Sequence, residues 1–211
     1  MVRGAAHKRN LGLGNIHYYG TIQGDFEKRL EERSDEYKAI MEKHGVRKPI
    51  WVTETSTSSH EKSVLSGPSS KIRQARHVVK RLVVFSAKGA EKVFWHNYRE
   101  TFKENKFYQC NLVYPKTNTP KPAYYTLRLV VDKLGYYRIA ETLRKDNVRP
   151  YKFTTQTDKP VFVAWSSLPQ TIDLSEYLEA QKVLVTHISW NMMVLSPKVM
   201  VCHLPLSFSL R

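Results

Sequence analysis

Cysteine is scarce in this 211-residue sequence: there are two, Cys110 and Cys202, and no CxxC spacing. A disulfide framework is therefore excluded. The eight histidines are scattered without HxxxH or HExxH spacing, so no metal site and no cofactor are expected. Also missing is any run of about 18 apolar residues, which argues against a membrane span. The opening MVRGAAHKRNLGLG is basic but has neither a long apolar segment nor a small-residue cleavage site, so no signal peptide is read in it.

Acidic residues are the third shortage, with 19 Asp and Glu against 34 Lys and Arg and a net charge of +15. With 41% hydrophobic and 11% aromatic residues, the chain is too apolar for a disordered basic tail. The excess is local. Residues 68–100 and 101–150 carry +6 each, whereas 15–67 carry −1 and 151–211 carry +1. A basic module for nucleic acid or acidic polysaccharide is one reading of that +12. The other is a solvated helix face, since Arg73, Arg76 and Lys80 fall on one side of an amphipathic pattern that turns Ile72, Ala75, Val79, Leu82, Val83 and Ser86 inward.

Three strand–helix units follow one another. Asn15 to Gly20 (NIHYYG) is β-prone, and the charged stretch after it spaces Phe26, Leu30, Tyr37, Ile40, Met41 and His44 as a helical stripe, with Asp25 as cap and Gly45 as stop. IWVTET, from Ile50, is rich in β-branched and aromatic residues; a Ser, Thr and Gly loop leads from it to a helix from Ser70 to Gly89. KVFWHN, from Lys92 to Asn97, precedes a long loop and a helix opened by Pro122, with Tyr124, Leu127, Val131 and Leu134 in a stripe. Strands this short and apolar are expected to be buried on both faces of a parallel sheet, the α/β class. Beyond Tyr137 the period becomes two: YKFTTQT, a turn at Asp158 to Pro160, VFVAWSS, KVLVTHI and VMVCHLPLSFSL. A boundary near 138 and a small antiparallel module behind it are expected, and the pattern from Ser189 to Met193 is too weak to assign.

In parallel α/β folds chemistry collects at the C-terminal ends of strands, a rule that selects His17 and Tyr19, then Thr53, Glu54 and Thr55, then Trp95, His96 and Asn97. A carboxylate ending an apolar strand is costly unless partnered, so Glu54 stands out. Tyr19 and His17 could hold it by hydrogen bonds, and Trp95 offers a flat face suited to a sugar ring. Each has a plainer reading: a strand-end glutamate can anchor a loop, a strand tryptophan can be core, and His17 can fill a polar rim.

The ordered series HYYG, KPIWVTETS, VFWHNYRE and TPKPAYYTLRLVVDKLG resembles the last third of the (β/α)8 barrel of clan A glycoside hydrolases, nearest the β-xylosidase and cellulase-like families. The resemblance spans about residues 15 to 190. It implies that residues 15–137 are strands six to eight of a TIM barrel, that residues 138–211 form a β-sandwich-like accessory module, and that the substrate is a carbohydrate. It further implies that Glu54 is the nucleophile of a retaining mechanism, with His17, Tyr19, Trp95 and Asn97 around the sugar. Such a mechanism uses two carboxyl groups about 5 to 5.5 Å apart. In this clan the second belongs to an Asn-Glu pair, and the sequence has no such dipeptide. A barrel also takes about 250 residues. The expectation is therefore a C-terminal fragment that turns over little by itself, leaves open sheet edges, and self-associates or needs an N-terminal barrel segment. A non-catalytic carbohydrate-binding protein is the remaining alternative.

Overall fold

A computed structural model describes residues 12–61, 63, 69–99, 109–143, 150–166, 170–173, 183–187, 192–195, 198–201 and 206–209. Residues 1–11 and Cys202 lie outside the described residues. The first half runs β1 (Gly14–His17), α1 (Phe26–Lys43), β2 (Ile50–Thr55), α2 (Lys71–Ala87), β3 (Lys92–Trp95) and α3 (Pro122–Leu134). The strands pair in the order β1-β2-β3, all parallel. The helix ends form where the side chains dictate. Asp25 accepts from the Lys28 amide at 3.1 Å and Ser70 from the Arg73 amide at 3.1 Å, each satisfying an otherwise orphaned donor. Gly45 and Gly89, at φ 65° and 83°, turn the chain out of α1 and α2 in the left-handed region that glycine enters without penalty.

Several expectations need correction. β1 ends at His17 and β3 at Trp95, so Tyr18 to Gly20 and His96 to Asn97 belong to the loops above the sheet. The strands are not buried on both faces. Ile16, Val52 and Val93 point to the helices, while Asn15, His17, Trp51, Thr53, Lys92 and Phe94 alternate onto a face that no described helix covers. On that face the Trp51 and Phe94 rings lie 5.9 Å apart and Lys92 Nζ sits 5.2 Å over the Trp51 ring.

The helical stripes are also rotated. α1 buries Phe26, Leu30, Ser34 and Met41 and leaves Ile40 outside; α3 buries Ala123, Thr126, Leu129, Val130 and Leu134 and leaves Val131 outside. Small Ala123 and Thr126 let α3 approach α2, a property that reading apolar residues alone overlooks. Ile72, expected inward, is exposed on the first turn of α2. Lys80, expected on the solvent face, pairs instead with Glu27, and Arg76 is half-buried.

From α3 the chain passes into β4 (Tyr137–Thr142), β5 (Tyr151–Thr155), β6 (Pro160–Ala164), β7 (Gln170–Asp173), β8 (Val183–His187), β9 (Met192–Leu195), β10 (Lys198–Val201) and β11 (Leu206–Ser209). Six of these strands form an antiparallel sheet of order β4-β5-β6-β11-β8-β9, and β7 pairs with β10. The run VMVCHLPLSFSL, read as one strand pattern, is divided between β10 and β11 in different sheets. β9 falls at the end of the stretch left unassigned. The hairpin between β5 and β6 turns at Asp158, whose φ is 60°.

This sheet packs on the back of α1 and α2. The Trp165 indole donates to Glu27 Oε1 at 2.9 Å, Lys80 pairs with the same carboxylate and lies 5.6 Å over the Trp165 ring, and Tyr151 stacks on Trp165 at 5.1 Å. Tyr151, Phe153, Val161, Val163 and Trp165 belong to the same hydrophobic cluster as Phe26, Leu30, Val52, Val78 and Val83.

Candidate functional site

Glu54 is the penultimate residue of β2, where the ladder slips. Val52 pairs with Ile16, but His17 pairs with Glu54, and a second irregularity lies between Val52 and Thr55 on the β3 side. Bulges of this kind re-aim a side chain. Here the carboxylate is brought beside the loop that leaves β1.

Its two oxygens are treated unequally. Tyr19 donates its hydroxyl to Oε2 at 2.5 Å, and His17 Nδ1 lies 3.5 Å from that same oxygen. Among the described residues Oε1 has no partner. The side chain is 34% exposed, so the carboxylate is held from one side and open on the other. Burial, and then the bond and charge of Glu54, raise the pKa of the Tyr19 phenol well above its usual value, which keeps Tyr19 a donor at all physiological pH.

The loop carrying Tyr19 is shaped by Gly20, at φ 47°, where a Cβ would meet the Tyr18 ring at 2.5 Å. Tyr18 N donates to Glu54 O at 2.9 Å and Thr55 Oγ1 to Tyr18 O at 2.7 Å, stitching the two strand ends together. His96, the residue after β3, meets the Tyr19 ring edge-on with centroids 6.0 Å apart.

Of the residues singled out from sequence, Glu54, Tyr19 and His17 come together. Trp95 stands opposite Thr55 in the register, one residue along from Glu54, and donates its indole to Cys110 O at 2.9 Å while packing against the core. Asn97 is joined to His96 by a cis peptide bond, accepts from the Leu112 amide at 3.1 Å, and has its side-chain Oδ1 buried without a partner among the described residues. No group of three or more His, Cys, Asp or Glu able to hold a metal occurs among the described residues.

Sequence reasoning missed the cations beneath this rim. Arg81 is 0% exposed and Lys121 2%. Arg81 Nε donates to Thr57 Oγ1 at 3.0 Å, Nη1 to Thr55 Oγ1 at 3.0 Å and Tyr18 O at 3.3 Å, and Nη2 to Tyr19 O and to Gly20 O, the latter at 3.3 Å. Lys121 Nζ donates to Asn111 Oδ1 at 2.9 Å and Ser59 Oγ at 3.1 Å. Nothing in the sequence separates Arg81 from its solvent-facing neighbours: among the residues three, four or seven away on the helix Gln74 and His77 are polar, and their burial beside Val78 and Phe85 shows only in the structure.

No protein-family model matches the sequence, and no curated protein matches it. Solved structures do. A family 39 glycoside hydrolase from the gut symbiont Bacteroides cellulosilyticus WH2 superposes with a TM-score of 0.65 at 18% identity, over 93% of this chain and 44% of that one. The fold is shared with glycoside hydrolases. The GH51 arabinofuranosidase from Xanthomonas axonopodis pv. citri gives a TM-score of 0.59 at 11% identity over 93% of this chain and 52% of that one. An alpha-L-arabinofuranosidase from Thermotoga maritima gives 0.55 at 10% identity over 92% and 52%. This chain thus spans about half the length of the structures it matches.

Proposed function

We propose that the chain is the C-terminal part of a retaining glycoside hydrolase acting on O-glycosidic bonds, with β1, β2 and β3 as strands six to eight of a clan A barrel and the region beyond residue 137 as a sandwich-like accessory module. The observation that supports this most directly is the Glu54 carboxylate, fixed through Oε2 and open at Oε1, at the C-terminal end of a central parallel strand.

In this reading Oε1 attacks the anomeric carbon, the bond from that carbon to the glycosidic oxygen breaks, and a glycosyl ester of Glu54 forms; water then cleaves the ester. Tyr19 stabilises the ionised carboxylate before attack and releases it as the ester forms. His17 borders the same oxygen, the part of the Trp95 ring left exposed by its packing on the core meets the sugar, with the indole N–H anchored on the Cys110 carbonyl, and Asn97 closes the rim. An alcohol leaving group needs a proton from a second carboxyl group, and no second carboxylate contacts Glu54 among the described residues. Turnover of ordinary glycosides is accordingly expected to need barrel strands from a longer polypeptide or an associated one. The uncovered face with Trp51 and Phe94, and the outer edges of β1 and β3, are where such strands would add.

A substrate that needs no acid tests the nucleophile alone. A 2-deoxy-2-fluoro β-glycoside with a dinitrophenolate leaving group should add one glycosyl mass to the peptide containing Glu54, and none in Glu54→Gln. Labelling that persists in Glu54→Gln would remove the residue from its role. Sugar binding without any label in the native chain would favour a carbohydrate-binding protein. Three cations of the basic middle are unavailable to a nucleic acid, Arg81 and Lys121 being buried and Lys80 paired with Glu27.

A further inference from the structure

A guanidinium is an expensive core residue. Removing it from water costs several kcal/mol unless its donors are met, and buried arginines usually meet a carboxylate. Arg81 meets none among the described residues. Its donors go to three carbonyls, those of Tyr18, Tyr19 and Gly20, and to two hydroxyls, those of Thr55 and Thr57; the Phe26 ring lies 4.8 Å from its Cζ. Burial pulls its pKa down to about 9, which leaves it a cation at neutral pH.

The acceptors fall in two short segments. Residues 18–20 enclose Tyr19, and residues 55–57 immediately follow Glu54. The planar fork therefore bridges the two loops that carry the hydrogen-bonded pair, from beneath, without touching the pair's side chains. A core hydrophobe could fill the space but could not tie one loop to the other.

We infer that Arg81 is the positioning residue of the site, setting the approach of the Tyr19 hydroxyl to the Glu54 carboxylate by clamping the ends of β1 and β2 to one guanidinium. Lysine keeps the charge and much of the length but loses the fork, so Arg81→Lys separates geometry from electrostatics. The inference rests on reading Tyr19 and Glu54 as the working pair, but it is tested without any sugar. A failure to label Glu54 and a failure of the clamp are thus separate results.

The readout is the Tyr19 ring at pH 7, where Arg81 and a lysine in its place are both cations and the phenol is a donor; around it lie Glu54, Arg81, Cys110 and the His96 ring. Tyr19 is one of 12 tyrosines, and 19F NMR of 3-fluorotyrosine-labelled protein can assign it by Tyr19→Phe. Glu54→Gln gives the position of the Tyr19 resonance without its carboxylate partner. In Arg81→Lys the resonance should move from its native position toward that of Glu54→Gln. Should Arg81→Lys not fold, Thr57→Val removes the acceptor of Nε and leaves the Thr55–Tyr18 bond in place, and the same movement is expected. A folded variant of either kind whose Tyr19 resonance keeps its native position would overturn the inference and leave Arg81 as a core filler.

Discussion

His77 lies one helical turn before Arg81 on the buried side of α2, its ring 4.4 Å from that of Phe26. Burial above all, and then the positive charges of Arg81, Lys80, Arg73 and Arg76, hold its pKa well below the usual histidine value. The unfolded chain takes up a proton below about pH 6.5 that the folded chain refuses. The unfolded state then binds more protons, so the stability contributed by neutral His77 is complete above that pH and is lost progressively as pH falls. Urea midpoints measured from pH 7.5 down to pH 5 should drop more steeply in the native chain than in His77→Leu, by up to roughly a tenfold change in folding constant per pH unit. Parallel slopes would assign the acid sensitivity elsewhere. At this scale Glu54 and Tyr19 were legible in the sequence because polar groups interrupt or follow apolar strands. Arg81 and Lys121 were not, because helical and loop cations ordinarily face water and only their three-dimensional acceptors make burial tolerable.

The strand–helix units were readable for a simple reason: Asp25, Ser70, Gly45, Gly89 and Pro122 mark helix ends chemically, whatever surrounds them. Which face each helix buries was less readable. α3 turns Ala123 and Thr126 inward and Val131 outward because α2 lies close to it, and closeness is a property of the partner. β4, β7 and β9 went unread as strands. β4 and β9 are edge strands of the six-stranded sheet and β7 lies in a two-stranded one, so each leaves one side of its ladder unpaired, and in β4 polar residues such as Arg138 and Glu141 are accepted within the pattern. The slip of β2 against β1 and β3, which aims Glu54, has no sequence signature, since a bulge is a relation between two strands.

One hydrophobic cluster joins the α/β part to the antiparallel sheet, and Trp165 is its polar and apolar hinge point, touching Tyr151, Glu27 and Lys80 at once. Trp165→Ala is expected to cost about 3 to 5 kcal/mol, the range for deleting a large core aromatic. Because the cluster is shared, the loss should lower a single transition in which helix and sheet signals disappear together. Two separated transitions in calorimetry would contradict that coupling. The open face of the parallel sheet has a different consequence. Trp51 stands on it, with Lys92 over its ring, whereas Trp165 is sealed and Trp95 is pinned against the core. The molecule carries its own optical gauge: whatever comes to cover that face dries Trp51, moves its emission toward the blue and shields it from quenchers, while Trp165 stays as it was.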